Sequence, residues 1–359
     1  MGLKQIEKSG KNLLIRLVGL FIKPEKLDRG KVDVSKVKKI LLVRQDRRLG
    51  NLILTLPVVS AIRKKFPQSH MGYLADGKFA EVLAMCPEID EVFVITKSSF
   101  WNPFQFLSII KKIRKTGFDM TVDLSDENNF SLSNAFLTYL SQAPIRVGYE
   151  KAQNKGFLNL EVPIIHKERH VIERHLDLLR FLAGEAPTPE FNLKIDSQNK
   201  SWAENYLAKQ NVSGNDFLIG IHIGGRGKKR WGIENFAEII NWLTKENYKV
   251  IIFWGKEEEK FLPDLIKKSN DKIIISDLLA MQKLAAVIKR CNLFISSDTG
   301  PMHLVVALKV PTLAIFTDSD VKKYGAKGEL HRIVSGDVSL EKVKTTLKEM
   351  LGVSQPVLK

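Results

Sequence analysis

Runs of consecutive apolar residues alternate along this chain with longer stretches whose apolar residues recur every three or four positions. The first run, Ile40-Leu41-Leu42-Val43, is continuous, as a strand buried on both faces requires. Similar runs predict strands near 71–74, 92–95, 120–123 and 145–147, with helices over 79–85, 103–115, 131–140 and 170–182. Pro57 places the start of an earlier helix at Leu56, since proline is tolerated in a first helical turn. Pro187 and Pro189 then break the pattern within 184–192. It resumes with strands 217–223, 249–253, 272–275, 293–296 and 312–316 and helices 202–209, 233–244, 257–268, 281–289 and 340–351. Such alternation predicts parallel sheets covered on both faces. The expected class is α/β, with two doubly wound domains over 38–190 and 191–335 facing a central cleft. An extension, 1–37, precedes them, and a helix and tail, 336–359, follow.

Composition sharpens the choice of partner. The 359 residues suffice for two or three domains of roughly 100–200 residues. Lys plus Arg number 56 against 40 acidic residues, a net charge of +16. That excess favours nucleotides, phosphorylated sugars, nucleic acid or an anionic membrane face. Cys86 and Cys291 are far apart, with neither metal spacing nor a disulfide framework, and a reducing compartment is expected. No apolar run approaches the about 20 residues that span a bilayer, and neither a cleavable leader nor an internal repeat is read. Within the basic segment 11–23, Leu13, Leu17, Leu20 and Phe21 share a helical face. That face can lie on a membrane or pack on the protein's own surface.

Three stretches carry chemistry. Leu293-Phe294-Ile295-Ser296-Ser297-Asp298-Thr299-Gly300-Pro301-Met302-His303-Leu304 reads as a buried strand, a polar turn and a helix start with proline in its first turn. The positive end of such a helix is an anion site. The loop Gly224-Gly225-Arg226-Gly227-Lys228-Lys229-Arg230-Trp231-Gly232 brings Lys228, Lys229 and Arg230 beside glycines that admit close backbone approach, which suits a diphosphate. It is neither a Walker A loop nor a dinucleotide fingerprint. Phe253-Trp254-Gly255-Lys256-Glu257-Glu258 follows the next strand, where an acidic group accepts hydrogen bonds from ribose or simply complements a helix dipole. His170 and His175 lack metal-ligand spacing and read as structural, and Trp101, Phe104 and Phe106 read as packing residues.

These stretches, in this order, resemble glycosyltransferase family 9, which contains the lipopolysaccharide heptosyltransferases. The front half agrees through Val43-Arg44-Gln45-Asp46-Arg47-Arg48-Leu49-Gly50, Leu54-Thr55-Leu56-Pro57, Phe118-Asp119-Met120-Thr121-Val122-Asp123-Leu124, Arg146-Val147-Gly148-Tyr149, and His170 with Arg174. The resemblance implies a GT-B fold and an inverting, metal-independent sugar transfer without a cofactor. The donor is a nucleotide sugar, typically ADP-heptose. The acceptor is an anionic lipopolysaccharide core. Lys229 is implied to meet the donor diphosphate, Asp298, Thr299 and Gly300 to hold phosphates, and Glu257 to take the ribose. Gly224, Gly225, Arg226 and His303 line the donor pocket. Arg44, Arg47, Arg48 and Asn51 face the acceptor.

Asn51 departs from the family's usual Gly-Asp, and an amide is no general base. Asp46 is the expected substitute, with Asp123 or another carboxylate as alternatives. A relative that binds nucleotide sugars without turnover, or one using another nucleotide sugar, remains open. Thr317-Asp318-Ser319-Asp320 replaces a glycine-containing turn and leaves the sugar open. A nucleic-acid binder rests on charge alone and is not favoured. The expected place is cytoplasmic, peripheral at the inner-membrane face, through residues 11–23 and the basic surface.

Overall fold

The computed structural model describes residues 25–96, 98–99, 102–154 and 156–354, so the segment 11–23 and Trp101 lie outside the described residues. Two compact units form. One takes the residues up to Arg47 and Thr55–Glu190; the other takes Arg48–Leu54 and the residues from Phe191 onward.

The first unit holds strands β1 (Lys39–Arg44), β2 (His70–Ala75), β3 (Glu91–Val94), β4 (Met120–Asp123), β5 (Ile145–Tyr149) and β6 (Leu160–Val162). All neighbours are parallel, in the order β3-β2-β1-β4-β5-β6. The second unit holds β7 (Leu218–His222), β8 (Lys249–Phe253), β9 (Ile273–Ile275), β10 (Leu293–Ser297), β11 (Thr312–Phe316) and β12 (His331–Ser335). Its order, β12-β11-β10-β7-β8-β9, repeats the same winding, again all parallel. In each sheet the order reverses once, between β1 and β4 and between β7 and β10. Loops leaving the carboxyl ends of the two strands at such a reversal turn to opposite faces and open a ligand crevice.

The apolar runs explain the sheets. Ile40, Leu41, Leu42 and Val43 are fully buried, as are Leu293, Phe294 and Ile295. The helix Ile233–Lys245 puts Ile233, Phe236, Ile239, Ile240 and Leu243 into one cluster with Ile219, Ile221, Val250 and Ile252. Their three-and-four spacing is the stripe a sheet-packing helix needs. The helix Leu340–Ser354 adds Val343, Leu347, Met350 and Leu351 to that cluster. It is part of the second unit's core, not an appended tail.

Other expectations need correction. β6 and β12 escaped the sequence reading because β6 is three residues long and β12 is only partly buried. The helix expected over 257–268 is a single 3-10 turn, Glu259–Phe261, followed by the helix Leu262–Lys268, whose first turn takes Pro263. The region 79–85 likewise splits into a 3-10 turn, Gly77–Phe79, and the helix Ala80–Ala84. The described end of the extension expected over 1–37 lies against the first unit. Arg29 donates from Nε to the Phe181 carbonyl at 2.8 Å, Leu27 N–H donates to the Asn159 carbonyl at 2.7 Å, and Val37 is buried. Both cysteines are buried and free.

The two histidines read as structural are so. His170 caps the helix Val171–Ala183 by accepting from the Ile172 N–H. His175, 1% exposed, sits among Val58, Ile62, Met120, Val122 and Leu178 with no hydrogen-bond partner on either ring nitrogen. Burial, aided by the positive charge of Arg44, pulls its pKa from 6.5 to about 3. A ring kept neutral when folded but protonated when unfolded adds stability above the unfolded pKa that is lost as pH falls. In His175→Leu, the loss of about 2 kcal/mol that this one ring causes between pH 6.5 and pH 5 should disappear. Urea unfolding of wild type and variant at the two pH values measures it; parallel losses in both proteins would show that the ring is not neutral in the fold.

Candidate functional site

At the reversal in the second sheet, Ser296 of β10 lies opposite His222 of β7, so the loops that follow them start side by side. The β10 strand ends in Asp298 and Thr299. Thr299 has extended backbone and caps the helix Gly300–Ala307, its hydroxyl accepting from the Met302 N–H, with Pro301 in the first turn. From Met302 to Ala307 every residue of this helix is buried, so its position is fixed by packing all round.

The β7 loop is held to that turn at several points. Trp231 N–H donates to Ser297 Oγ at 3.3 Å, Trp231 Nε1 to the Val338 carbonyl at 2.6 Å, and Thr317 Oγ1 to the Lys228 carbonyl at 2.6 Å. Gly225, at φ +146°, leaves no room for a side chain: a Cβ there would lie 2.7 Å from the Arg230 backbone. The loop thus delivers Lys229 Nζ to Asp298 Oδ2 at 2.8 Å. Burial is the largest influence on Asp298 and works to raise its pKa. Hydrogen bonds from His303 and Lys229 prevail and hold the carboxyl well below the usual range. His303 Nε2 is 3.6 Å from the other oxygen, Asp298 Oδ1.

His222 completes the joint. Its Nδ1 accepts from the Gly224 N–H at 3.3 Å and lies 3.4 Å from Thr299 Oγ1, so the ring proton is assigned to Nε2. Burial, then the charge of Arg230, lowers its pKa to about 4, and the ring is neutral near pH 7.

Beside the joint, Gly225, Arg226, Gly227, Arg230, Lys256 and Glu257, with Lys260 and Phe261, line an open pocket of about 430 Å³. Arg226 holds Glu257 with two hydrogen bonds, 2.9 and 3.2 Å, and this pairing lowers the Glu257 pKa. The Arg230 guanidinium lies 3.9 Å from the centre of the Phe261 ring. Four cations around one carboxylate give this pocket a positively charged lining of the kind that suits an anion.

At the reversal in the first sheet, Arg44 Nη2 donates to Asp46 Oδ2 and Asp126 Oδ1, both at 3.0 Å, and Nη1 donates to the Leu124 carbonyl. Asn134 bridges the Gln45 N–H and Asp123 Oδ1. Lys151 donates to Ser125 Oγ at 2.9 Å, and burial lowers its pKa.

The family model of glycosyltransferase family 9 (heptosyltransferase) matches residues 106–351. The chain belongs to this family. Among family 9 relatives, lipopolysaccharide heptosyltransferase 1 of Campylobacter coli is 23% identical over 306 residues, covering 82% of this chain and 89% of its own. The solved family 9 glycosyltransferase of Veillonella parvula DSM 2008 is 25% identical with a TM-score of 0.76, covering 91% of this chain and 93% of its own. The Escherichia coli ADP-heptose lipopolysaccharide heptosyltransferase II structure is 18% identical with a TM-score of 0.75, covering 89% and 100%. The protein is a glycosyltransferase of GT-B fold.

Against this frame the predicted residues sort clearly. Gly224, Gly225, Arg226, Lys229, Glu257, Asp298, Thr299, Gly300 and His303 all belong to the second unit, around the β7–β10 reversal and the β8 loop. Asp298 is corrected: a carboxylate repels phosphate, and this one positions Lys229 and His303 instead. Arg44 is also corrected. Its side chain is 2% exposed and bonded to two carboxylates, so it does not face an acceptor. Arg47 and Arg48 are exposed, Arg47 Nε lying 3.8 Å from Asp76 Oδ2. Arg48 and Asn51 belong with the second unit, where the helix Leu49–Ile53 packs on Gly300–Ala307. Sequence reasoning assigned no role to His222, Thr317, Lys260 or Phe261. The buried His222 could have been suspected from its place between an apolar strand and a Gly-Gly turn; the other three carried no signal. Asp298→Asn should cost about 1–3 kcal/mol in urea unfolding at pH 7. Since the depressed carboxyl contributes above its unfolded pKa of 3.8 and less as pH falls below it, the gap between the proteins should narrow below pH 4. An equal gap at pH 3 would refute the assignment.

Proposed function

We propose that this family 9 glycosyltransferase moves a heptosyl group from ADP-heptose to an anionic lipopolysaccharide-core acceptor, with inversion and without a metal. The observation that carries the donor half is the Lys229–Asp298 pair at the head of the helix Gly300–Ala307, flanked by the cationic pocket. In an inverting displacement, negative charge grows on the departing diphosphate as the anomeric carbon becomes oxocarbenium-like. A lysine fixed beforehand and the first-turn N–H groups meet that charge without reorganising. Glu257, held by Arg226, is suited to the ribose hydroxyls. The relatives' names support the sugar and the nucleotide: one solved neighbour is an ADP-heptose heptosyltransferase.

The acceptor hydroxyl must lose a proton. We assign Asp46 as the base, since Asn51 cannot serve. The Arg44 guanidinium donates to both Asp46 and Asp126 and fixes where the Asp46 carboxylate lies. Arg47 and Arg48 are assigned to the acceptor's anionic groups. Asn51 also supports a second reading, a relative that binds ADP-heptose without turning it over. In both readings the protein works in the cytoplasm, at the membrane face.

A thermal-shift screen separates the cases. ADP-heptose should raise the melting temperature while UDP-, GDP- and CDP-sugars do not. Preference for another nucleotide would overturn the donor assignment. Lys229→Ala should lower kcat/KM by about a hundredfold or more. Asp46→Asn should abolish most transfer yet keep the ADP-heptose shift; full activity in that variant removes Asp46 as the base.

A further inference from the structure

The helix Pro103–Thr116 of the first unit has two apolar faces where its fold needs only one. Its inner face buries Ile110 and Ile113, with Phe106 and Ile109 packed beside them, against Leu41, Val43, Leu74 and Phe93. Asn102 fixes its start, the side chain accepting from the Gln105 N–H at 3.2 Å. The inner face accounts for the helix. It leaves Phe104 84% exposed and Leu107 52% exposed, one turn apart, and Phe104 is the most exposed large apolar side chain among the described residues.

Lys111 and Lys115, both exposed, continue the same face at helical spacing. Between Asn102 and Phe118 the chain has four basic residues, Lys111, Lys112, Arg114 and Lys115, and no carboxylate. Lys112 turns aside to Glu91 at 2.8 Å, and Arg114 Nε donates to the Leu140 carbonyl. The outer face therefore reads Phe104, Leu107, Lys111, Lys115: apolar in the first turns, cationic in the last.

We propose that this face seats on an anionic lipid bilayer. Phe104 and Leu107 enter the boundary between headgroups and acyl chains, and the two lysines reach lipid phosphates with their stems along the surface. The charge decides between occupants. A second copy of the chain would bring like charges together on a face with no acidic partner, whereas an anionic bilayer supplies the complementary sign. The site extends the membrane-face placement given above. It is independent of the donor chemistry and of the segment 11–23.

Co-sedimentation of the full chain with vesicles tests it. Wild type should bind vesicles rich in phosphatidylglycerol at least tenfold more tightly than phosphatidylcholine vesicles. Phe104→Ser combined with Leu107→Ser should weaken binding to the anionic vesicles about tenfold or more. Lys111→Ser combined with Lys115→Ser should weaken it and reduce its salt dependence. Because these side chains are exposed, all variants should melt as wild type does and keep wild-type transfer to a delipidated, soluble acceptor. That readout separates this proposal from the donor and acceptor assignments. Equal binding by wild type and both variants would place the membrane contact elsewhere and overturn the proposal, as would no vesicle binding at all. A wild-type dimer that the Phe104/Leu107 variant converts to monomer would instead give the face to a second copy.

Discussion

One ion pair organises the loops at the strand reversal of the second sheet. Lys229 and Asp298 are far apart in the chain, yet their side chains meet at 2.8 Å because the strand order reverses between β7 and β10. The pairing is mutual in its effects. The carboxylate, only 7% exposed, needs a cation to remain ionised against burial; the lysine, 42% exposed, would otherwise sample many rotamers. An amine held in this way is kept to one position. Asp298 itself lowers the net positive charge at that point, and the balance is restored by Arg226, Arg230, Lys256 and Lys260 around the adjoining pocket. The site separates two tasks: one cation is fixed in position, and several looser ones supply the field.

The frame around the pair is built from groups with no charge to offer. Ser297, Thr317 and the Val338 carbonyl hold the basic loop by its backbone and by the Trp231 indole. His222, neutral because it is buried, accepts from the loop's first glycine and sits against the Thr299 hydroxyl that caps the helix Gly300–Ala307. A protonated imidazole there would lose the acceptor that Gly224 uses. As with His175 in the first unit, the stability that its neutrality gives is present above the unfolded pKa of 6.5 and is lost as pH falls toward the depressed value.

Much of this could be read from the chain, for physical reasons that also explain the failures. The continuous apolar runs gave the buried parallel strands, and the Thr299-Gly300-Pro301 sequence gave a capped helix start that the structure reproduces. In the basic loop, Gly225 is required by the loop's own path, since a Cβ there would meet the Arg230 backbone. Asp298 and Arg44 were misread because sequence gives the sign of a charge but not its nearest neighbour. Arg44 looked like the first of three loop arginines. It is the last residue of β1, facing inward, and its guanidinium links two loop carboxylates to the Leu124 carbonyl. Thr317 was read as a departure from a usual turn; its hydroxyl holds the Lys228 carbonyl, a contact that no local pattern encodes.

The Gly50-Asn51 pair shows why one position of a motif can change while its neighbour cannot. Gly50 is set by packing: a Cβ there would approach the His303 ring, on the helix Gly300–Ala307, to 2.7 Å. A side chain at 50 would push on the imidazole that shares Asp298 with Lys229, so the glycine protects the donor joint. Asn51 is half-buried on the same short helix, and an amide fits there as well as a carboxylate would. The constraint on residue 51 was therefore chemical and not steric. A chemical role can pass to another carboxylate wherever the fold keeps one ionised. At the reversal of the first sheet the buried Arg44 guanidinium holds two carboxylates, Asp46 and Asp126, each at 3.0 Å.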